Sequence, residues 1–206
     1  MSGEKINKRK LQAADTRNKI YRIARELFLK HGVENVSVDS IVEAAGISKG
    51  TFYVHFDTKD ALASILINDY VSEVDSEYKL FFEEIISNNS AKEIMLLLVG
   101  KIAEVIDNKI GYENMRILYK THITNTIDVS SSISYKRDIY RMFSSIIEKG
   151  ISNGEFKSDL PTDVLSNHFI LAMRGITYEW CVRYPEIGLK EQFLLHYKIL
   201  LSGILK

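Results

Sequence analysis

Ser48, Lys49, Gly50, Thr51, Tyr53 and His55 crowd into one short stretch of this chain. They bring hydroxyls, an ammonium, a phenol and an imidazole together around a residue with no side chain. That combination suits contact with duplex DNA. Small residues let the backbone approach the major groove, while hydroxyls and amines reach phosphates and base edges. A helix opening at Ser48 would also turn N–H groups towards a phosphate. Lys59 adds a further cation nearby. Each residue also has a plainer use: His55 alone reads as a structural surface histidine, and Tyr53 can pack its ring and expose only its hydroxyl.

Other chemistries find no support in the residue pattern. There is no GxSxG, P-loop, HExxH or CxxC arrangement. His31, His55, His122, His168 and His196 are scattered, with no pair at the i, i+4 spacing a metal needs. Glu83 and Glu84 are adjacent, so on a helix they point to different faces. Cys181 is the only cysteine, which excludes an intrachain disulfide and a cysteine-rich zinc site. No catalytic residue, metal or cofactor is expected, and the chain is not expected to be an enzyme.

The 206 residues are 46% hydrophobic and 26% charged, enough to bury a sizeable core. Net charge is zero, so bulk charge announces no polyanion partner. Its distribution is more informative. Between Lys5 and Lys30 stand nine basic residues, opposed only by Asp15 and Glu26. A basic end on a neutral chain fits a local anion partner or a solvated arm and helix face. The longest apolar run, Ile94–Val99, is too short to span a membrane. The basic start is not followed by the apolar stretch of a signal peptide. The expectation is a cytoplasmic chain with no membrane partner.

Elements that position the polar stretch are legible on both sides. Ile20, Ile23, Ala24, Leu27 and Phe28 form a helical stripe that Asp15 or Thr16 can open and Gly32 can close. Residues 1–14 then read as a flexible basic arm. Ser37 caps a second helix, about Val38 to Ala45, with Asp39 at its positive end. Gly46 supplies a left-handed turn, and Ser48 opens a third, short helix. Ile41, Ile47 and Phe52 supply an apolar wedge. A fourth helix starts near Lys59. Beyond it, helices are expected at roughly 59–86, 91–107, 111–126, 133–151, 162–183 and 189–205, with a break at Ser130–Ser132 and no convincing strand. The fold class is all-α: residues 15–60 hold a helix-turn-helix (about 37–56), and 61–206 form a larger helical domain.

The run Ala44-Ala45-Gly46-Ile47-Ser48-Lys49-Gly50-Thr51-Phe52-Tyr53, followed by His55-Phe56, Lys59 and Leu62, resembles the TetR family of transcriptional regulators. The likeness reaches back to Phe28-x-x-x-Gly32 and forward to about Tyr70, a third of the chain. It implies a three-helix head in which Ser37, Ser48, Thr51, Tyr53, His55 and Lys59 contact double-stranded operator DNA. Lys49 and Gly50 match the family pattern at the start of the recognition helix. Val42 departs from a usual alanine, and Asp57 puts a negative charge near the DNA side.

The last two helices are apolar around much of their circumference, so they need partners on more than one side. Phe169, Ala172, Ile176, Trp180, Phe193, Tyr197, Leu200, Leu201 and Ile204 are the expected interface, with burial within one subunit as the alternative. The resemblance implies that these helices pair with their two-fold copies, giving a homodimer that reads a palindrome. The resemblance also implies an effector pocket among the middle helices. Phe81, Met95, Met115, Tyr119, His122, Phe143 and Tyr178 are its candidate lining, suited to a small apolar or aromatic effector, with ordinary core packing the plainer use of each. The expected function is a ligand-responsive repressor. A helical interaction module that has lost DNA binding is the alternative, with an enzyme a remote third.

Overall fold

The computed structural model describes residues 2–125, 127–157 and 159–206, with side chains described from Lys10 onward. Ten α-helices follow one another among the described residues: α1 (Ser2–His31), α2 (Val38–Ala45), α3 (Lys49–His55), α4 (Lys59–Ile85), α5 (Ala91–Glu104), α6 (Tyr112–Thr124), α7 (Ser130–Ile133), α8 (Asp138–Ser152), α9 (Thr162–Arg183) and α10 (Leu189–Ile204). A 3₁₀ turn at Val33–Asn35 precedes α2, and a π-helical turn at Val105–Ile110 follows α5. The chain forms two compact units, one of residues 1–70 with 124–129, the other of 71–123 with 130–206.

In the first unit the apolar stripe of α1 meets α2, α3 and the start of α4. Ile20, Ala24, Ile41, Phe52, Leu62 and Ala63 are completely buried there, with Phe28, Val36, Val42, Phe56 and Leu66 close behind. Each large side chain removed from water contributes about 1.5–3 kcal/mol, which is what holds such short helices. Gly46 closes α2 at φ 61°, and its N–H donates to the carbonyls of Val42 and Glu43. Ser37 caps α2 by accepting from the Ser40 N–H, while the Ser40 hydroxyl accepts from the Ser37 N–H.

Helix α1 begins at Ser2, well before the expected start at Asp15 or Thr16. Leu11, Gln12, Ala13 and Ala14 are good helix formers with no breaker among them. Thr16 consequently sits inside the helix, its hydroxyl donating to the Gln12 carbonyl at 2.8 Å instead of capping. The break expected at Ser130–Ser132 is a single helical turn instead, α7, with non-helical residues on both sides of it, 127–129 and 134–137. The Ser132 hydroxyl is engaged elsewhere, 2.7 Å from His122 Nε2.

The second unit packs α5 at its centre. Ile94, Met95, Leu98 and Val99 of α5 are buried, as are Phe143, Ile146 and Ile147 of α8, and Phe169 and Ile170 of α9. Trp180, Phe193, Tyr197 and Leu201 complete the same interior, each no more than 1% exposed. This corrects one expectation. Phe169, Trp180, Phe193, Tyr197 and Leu201 are spent on the subunit's own core and are not available to a second copy. The Tyr197 hydroxyl donates to the Phe169 carbonyl at 2.6 Å, so even its polar tip is used internally. Ala172, Ile176, Leu200 and Ile204 remain partly exposed.

Polar links hold this unit in register. Arg137 grips Asp75 with both arms of its guanidinium, at 2.6 and 3.0 Å, and donates to the Ser132 carbonyl at 2.6 Å. The Glu155 carboxylate accepts from the Ala91 N–H at the start of α5, at 3.0 Å. Phe156 and Leu205 form one isolated antiparallel bridge. No described helix is long and apolar enough to cross a membrane.

Candidate nucleic-acid interface

Helix α3 has a clear inside and outside. Phe52 is fully buried, and Phe56, one turn on, is 4% exposed. On the other side Gly50, Tyr53 and Val54 share a face by helical spacing, with Lys49 beside them. Tyr53 is 52% exposed and Val54 80%. The Tyr53 ring meets Phe52 edge-on at 5.4 Å, which steadies a side chain that is otherwise half exposed. Beyond its chain neighbours, the atom nearest the site of a missing Cβ at Gly50 is Ser48 Oγ at 3.7 Å, so the helix surface is open at that one position.

Ser48 is the N-cap of α3, accepting from the Thr51 N–H at 3.1 Å, with its hydroxyl 2.9 Å from Thr51 Oγ1. The N–H of Thr51 is therefore satisfied within the helix and not offered to a phosphate. Lys49 Nζ lies 2.7 Å from Asp39 Oδ1, an ion pair joining α2 to α3 with both side chains more than half exposed. That hydrogen bond and the Asp39 charge raise the Lys49 pKa, so the lysine stays charged. His55 is partly buried.

Two cations behave differently from a reading of charge alone. Lys59 was expected as a phosphate contact. Its ammonium instead donates to the carbonyls of Val33 (2.7 Å) and Val36 (2.9 Å), tying α4 to the turn before α2. Two of its three protons are thus spent on structure. Arg17, visible in the sequence only as one of a basic run, stands at the interface. Its guanidinium donates to the His55 carbonyl at 2.6 Å and stacks over the Phe56 ring at 4.3 Å. It clamps the C-terminal end of α3 to α1. Tyr21 on α1 similarly donates to Asp69 on α4 at 2.6 Å. Ser37 caps α2, exposed on the same unit. The signal for Arg17 in the sequence was its i, i+3 offset from Ile20, which sets it at the margin of the core stripe.

In the second unit the expected pocket residues divide. Met95 and Phe143 are completely buried, and Met115 is 7% exposed. Phe81 is partly buried. Tyr119, His122 and Tyr178 belong to a more polar group. Tyr119 meets the Tyr178 ring edge-on at 5.7 Å and donates its hydroxyl to the Arg174 carbonyl at 3.0 Å. Burial pushes the Tyr119 hydroxyl above its ordinary range, and burial with the Arg174 charge lowers His122 below the usual histidine range. Arg174 donates to the Ile133 carbonyl at 2.6 Å and to the Tyr140 hydroxyl. Arg174, Arg137 and Asp75 were not singled out from the sequence, because their pairing joins residues far apart in the chain.

Comparison with known proteins agrees with this geometry. Residues 20–64 match the family model described as bacterial regulatory proteins, tetR family. The HTH-type transcriptional repressor KstR2 of Rhodococcus jostii (strain RHA1) is 23% identical over 168 residues, which cover 80% of this chain and 78% of that one. A TetR-family transcriptional regulator from Mesorhizobium loti superposes with a TM-score of 0.72 at 16% identity, over 94% of this chain and 98% of that one. The regulator FadR from Bacillus subtilis, solved in complex with stearoyl-CoA, superposes with a TM-score of 0.69 at 19% identity, over 90% and 98% of the two chains.

Proposed function

We propose, for a chain that belongs to the TetR family of DNA-binding transcriptional regulators, that it represses transcription as a homodimer on a palindromic operator and is released by a small molecule. The observation that carries the operator reading is the outer face of α3. Gly50, Tyr53 and Val54 stand outside a helix whose inner face is fixed by Phe52 and Phe56. A recognition helix needs that division, because the scaffold must hold the reading face still.

The homodimer reading rests on what α9 and α10 leave uncovered. Leu171, Tyr178 and Val182 on α9 are 55%, 49% and 62% exposed, with Gly175 between them. Leu195 and Ile199 on α10 are 50% and 59% exposed. The offsets of four, three and four residues form an apolar seam of coiled-coil spacing. No atom lies within 4 Å of a Cβ placed at Gly175 or Gly203, so a second helix can approach there closely. We assign the two-fold contact to this seam, with Ala172, Ile176, Leu200 and Ile204 at its margins. One head reads few base pairs; two heads read half-sites about 34–36 Å apart or a multiple of that.

An effector lodged among Met115, Tyr119 and His122 acts only if it binds the DNA-bound and DNA-free states with different affinity. The long acyl chain that the Bacillus subtilis relative holds makes acyl-CoA esters the first ligands to try. The test is selection of binding sites from random duplex DNA, followed by titration of the complex with acyl-CoA and aromatic acids. A palindromic consensus released by one ligand class is the expected result. Failure to enrich any sequence would leave a helical interaction module as the better reading.

A further inference from the structure

Val54 is the most exposed large apolar side chain among the described residues, at 80%. It contributes nothing to the core, and a β-branched residue is a slightly poor helix former. Single exposed apolar residues are common on protein surfaces. This one differs in its place. It lies on α3, one turn after Gly50 and next to Tyr53, on the face opposite the buried Phe52 and Phe56.

A valine has no donor or acceptor, so it cannot recognise guanine, cytosine or adenine by hydrogen bonds. The one apolar group on a base edge in the major groove is the 5-methyl of thymine. A polar base edge held against Val54 would lose its water without a replacement partner. We propose that Val54 selects thymine at one position of each half-site, through contact between its methyl groups and the thymine methyl. The open helix surface at Gly50 is what lets α3 lie deep enough for that contact. The inference rests on α3 being the DNA-reading helix.

The experiment uses the full-length protein. Sites are selected from random duplex DNA with the unsubstituted chain, Val54→Ala and Val54→Ser. Each thymine of the consensus is then replaced in turn by deoxyuridine, which deletes only the methyl group. The expected result is one thymine per half-site whose replacement weakens the unsubstituted protein about three- to tenfold. The same replacement has less effect on Val54→Ala and none on Val54→Ser, and the selected sites of both variants lose preference at that position alone. The salt dependence of binding stays the same, since no phosphate contact is removed. Equal melting temperatures for the three proteins establish that folding is unaffected. If every deoxyuridine replacement is neutral, or if Val54→Ala keeps the same methyl sensitivity, the assignment to Val54 is overturned while DNA reading stands. If the unsubstituted chain enriches no sequence, the DNA-reading role of α3 falls and this inference with it.

Discussion

Lys49 has a choice of anions. In the structure it pairs with Asp39 at 2.7 Å, and on the proposed operator it would meet phosphates. Asp39 would then compete with DNA for the lysine and add repulsion of its own. It also sits in the first turn of α2, where a carboxylate is worth about 0.3–1 kcal/mol to the helix. Replacing Asp39 by Ala should thus move two quantities in opposite directions. Stability should fall slightly, while operator affinity at low salt should rise roughly three- to tenfold with a steeper salt dependence. Fluorescence anisotropy across a salt series, beside thermal unfolding, measures both. Lys59 makes the contrary case. Because its ammonium serves the Val33 and Val36 carbonyls, Lys59→Met should cost about 2 kcal/mol of stability in urea unfolding, before any DNA is added. A variant as stable as the parent would return Lys59 to the role of a simple phosphate contact.

At the scale of elements, the helix-turn-helix is held by its ends. Gly46 turns the chain out of α2, Ser48 caps α3, and Arg17 fastens the far end of α3 through the His55 carbonyl. The second unit has an equally local requirement. A Cβ at Gly150 on α8 would lie 2.2 Å from the Phe156 ring, which is fully buried. The ring must cross the helix where no side chain stands, so that Phe156 itself can bridge to Leu205 of the C-terminal segment. Gly150→Ala should displace Phe156 and cost about 1–3 kcal/mol through overpacking. Chemical denaturation reads that loss directly. The same change at Gly175, where nothing lies within 4 Å, should leave the isolated subunit's stability unchanged or slightly raised.

For the whole molecule, the exposed seam on α9 and α10 is the feature that a single chain does not explain. Leu171 and Ile199 are each more than half exposed, so charged replacements there disturb no subunit interior. The double variant Leu171→Asp, Ile199→Asp should sediment as a folded monomer. Its operator affinity should fall by at least about a hundredfold, since two heads no longer share one binding event. A variant that remains dimeric in analytical ultracentrifugation would move the interface elsewhere. Retained helicity by circular dichroism separates lost pairing from lost folding.

The sequence by itself determined the helix-turn-helix and the succession of helices. Those features are local: a capping serine, a left-handed glycine and an apolar stripe act within a few residues of one another. Ser37, Gly46, Ser48 and Phe52 took the structural places their types dictate. The same locality misled at Thr16, where a good capping residue lies inside a longer helix. Tertiary structure alone decided how residues with similar local signals divide their duties. Phe169, Trp180, Phe193, Tyr197 and Leu201 look like an interface stripe but fill the subunit's own core, while Leu171, Tyr178, Leu195 and Ile199 stay outside. It also turned Lys59 towards two carbonyls and brought Arg17 to the end of α3. Helical periodicity gives the angle between side chains, but only the packing of neighbouring helices fixes which side of an all-round apolar helix faces inward.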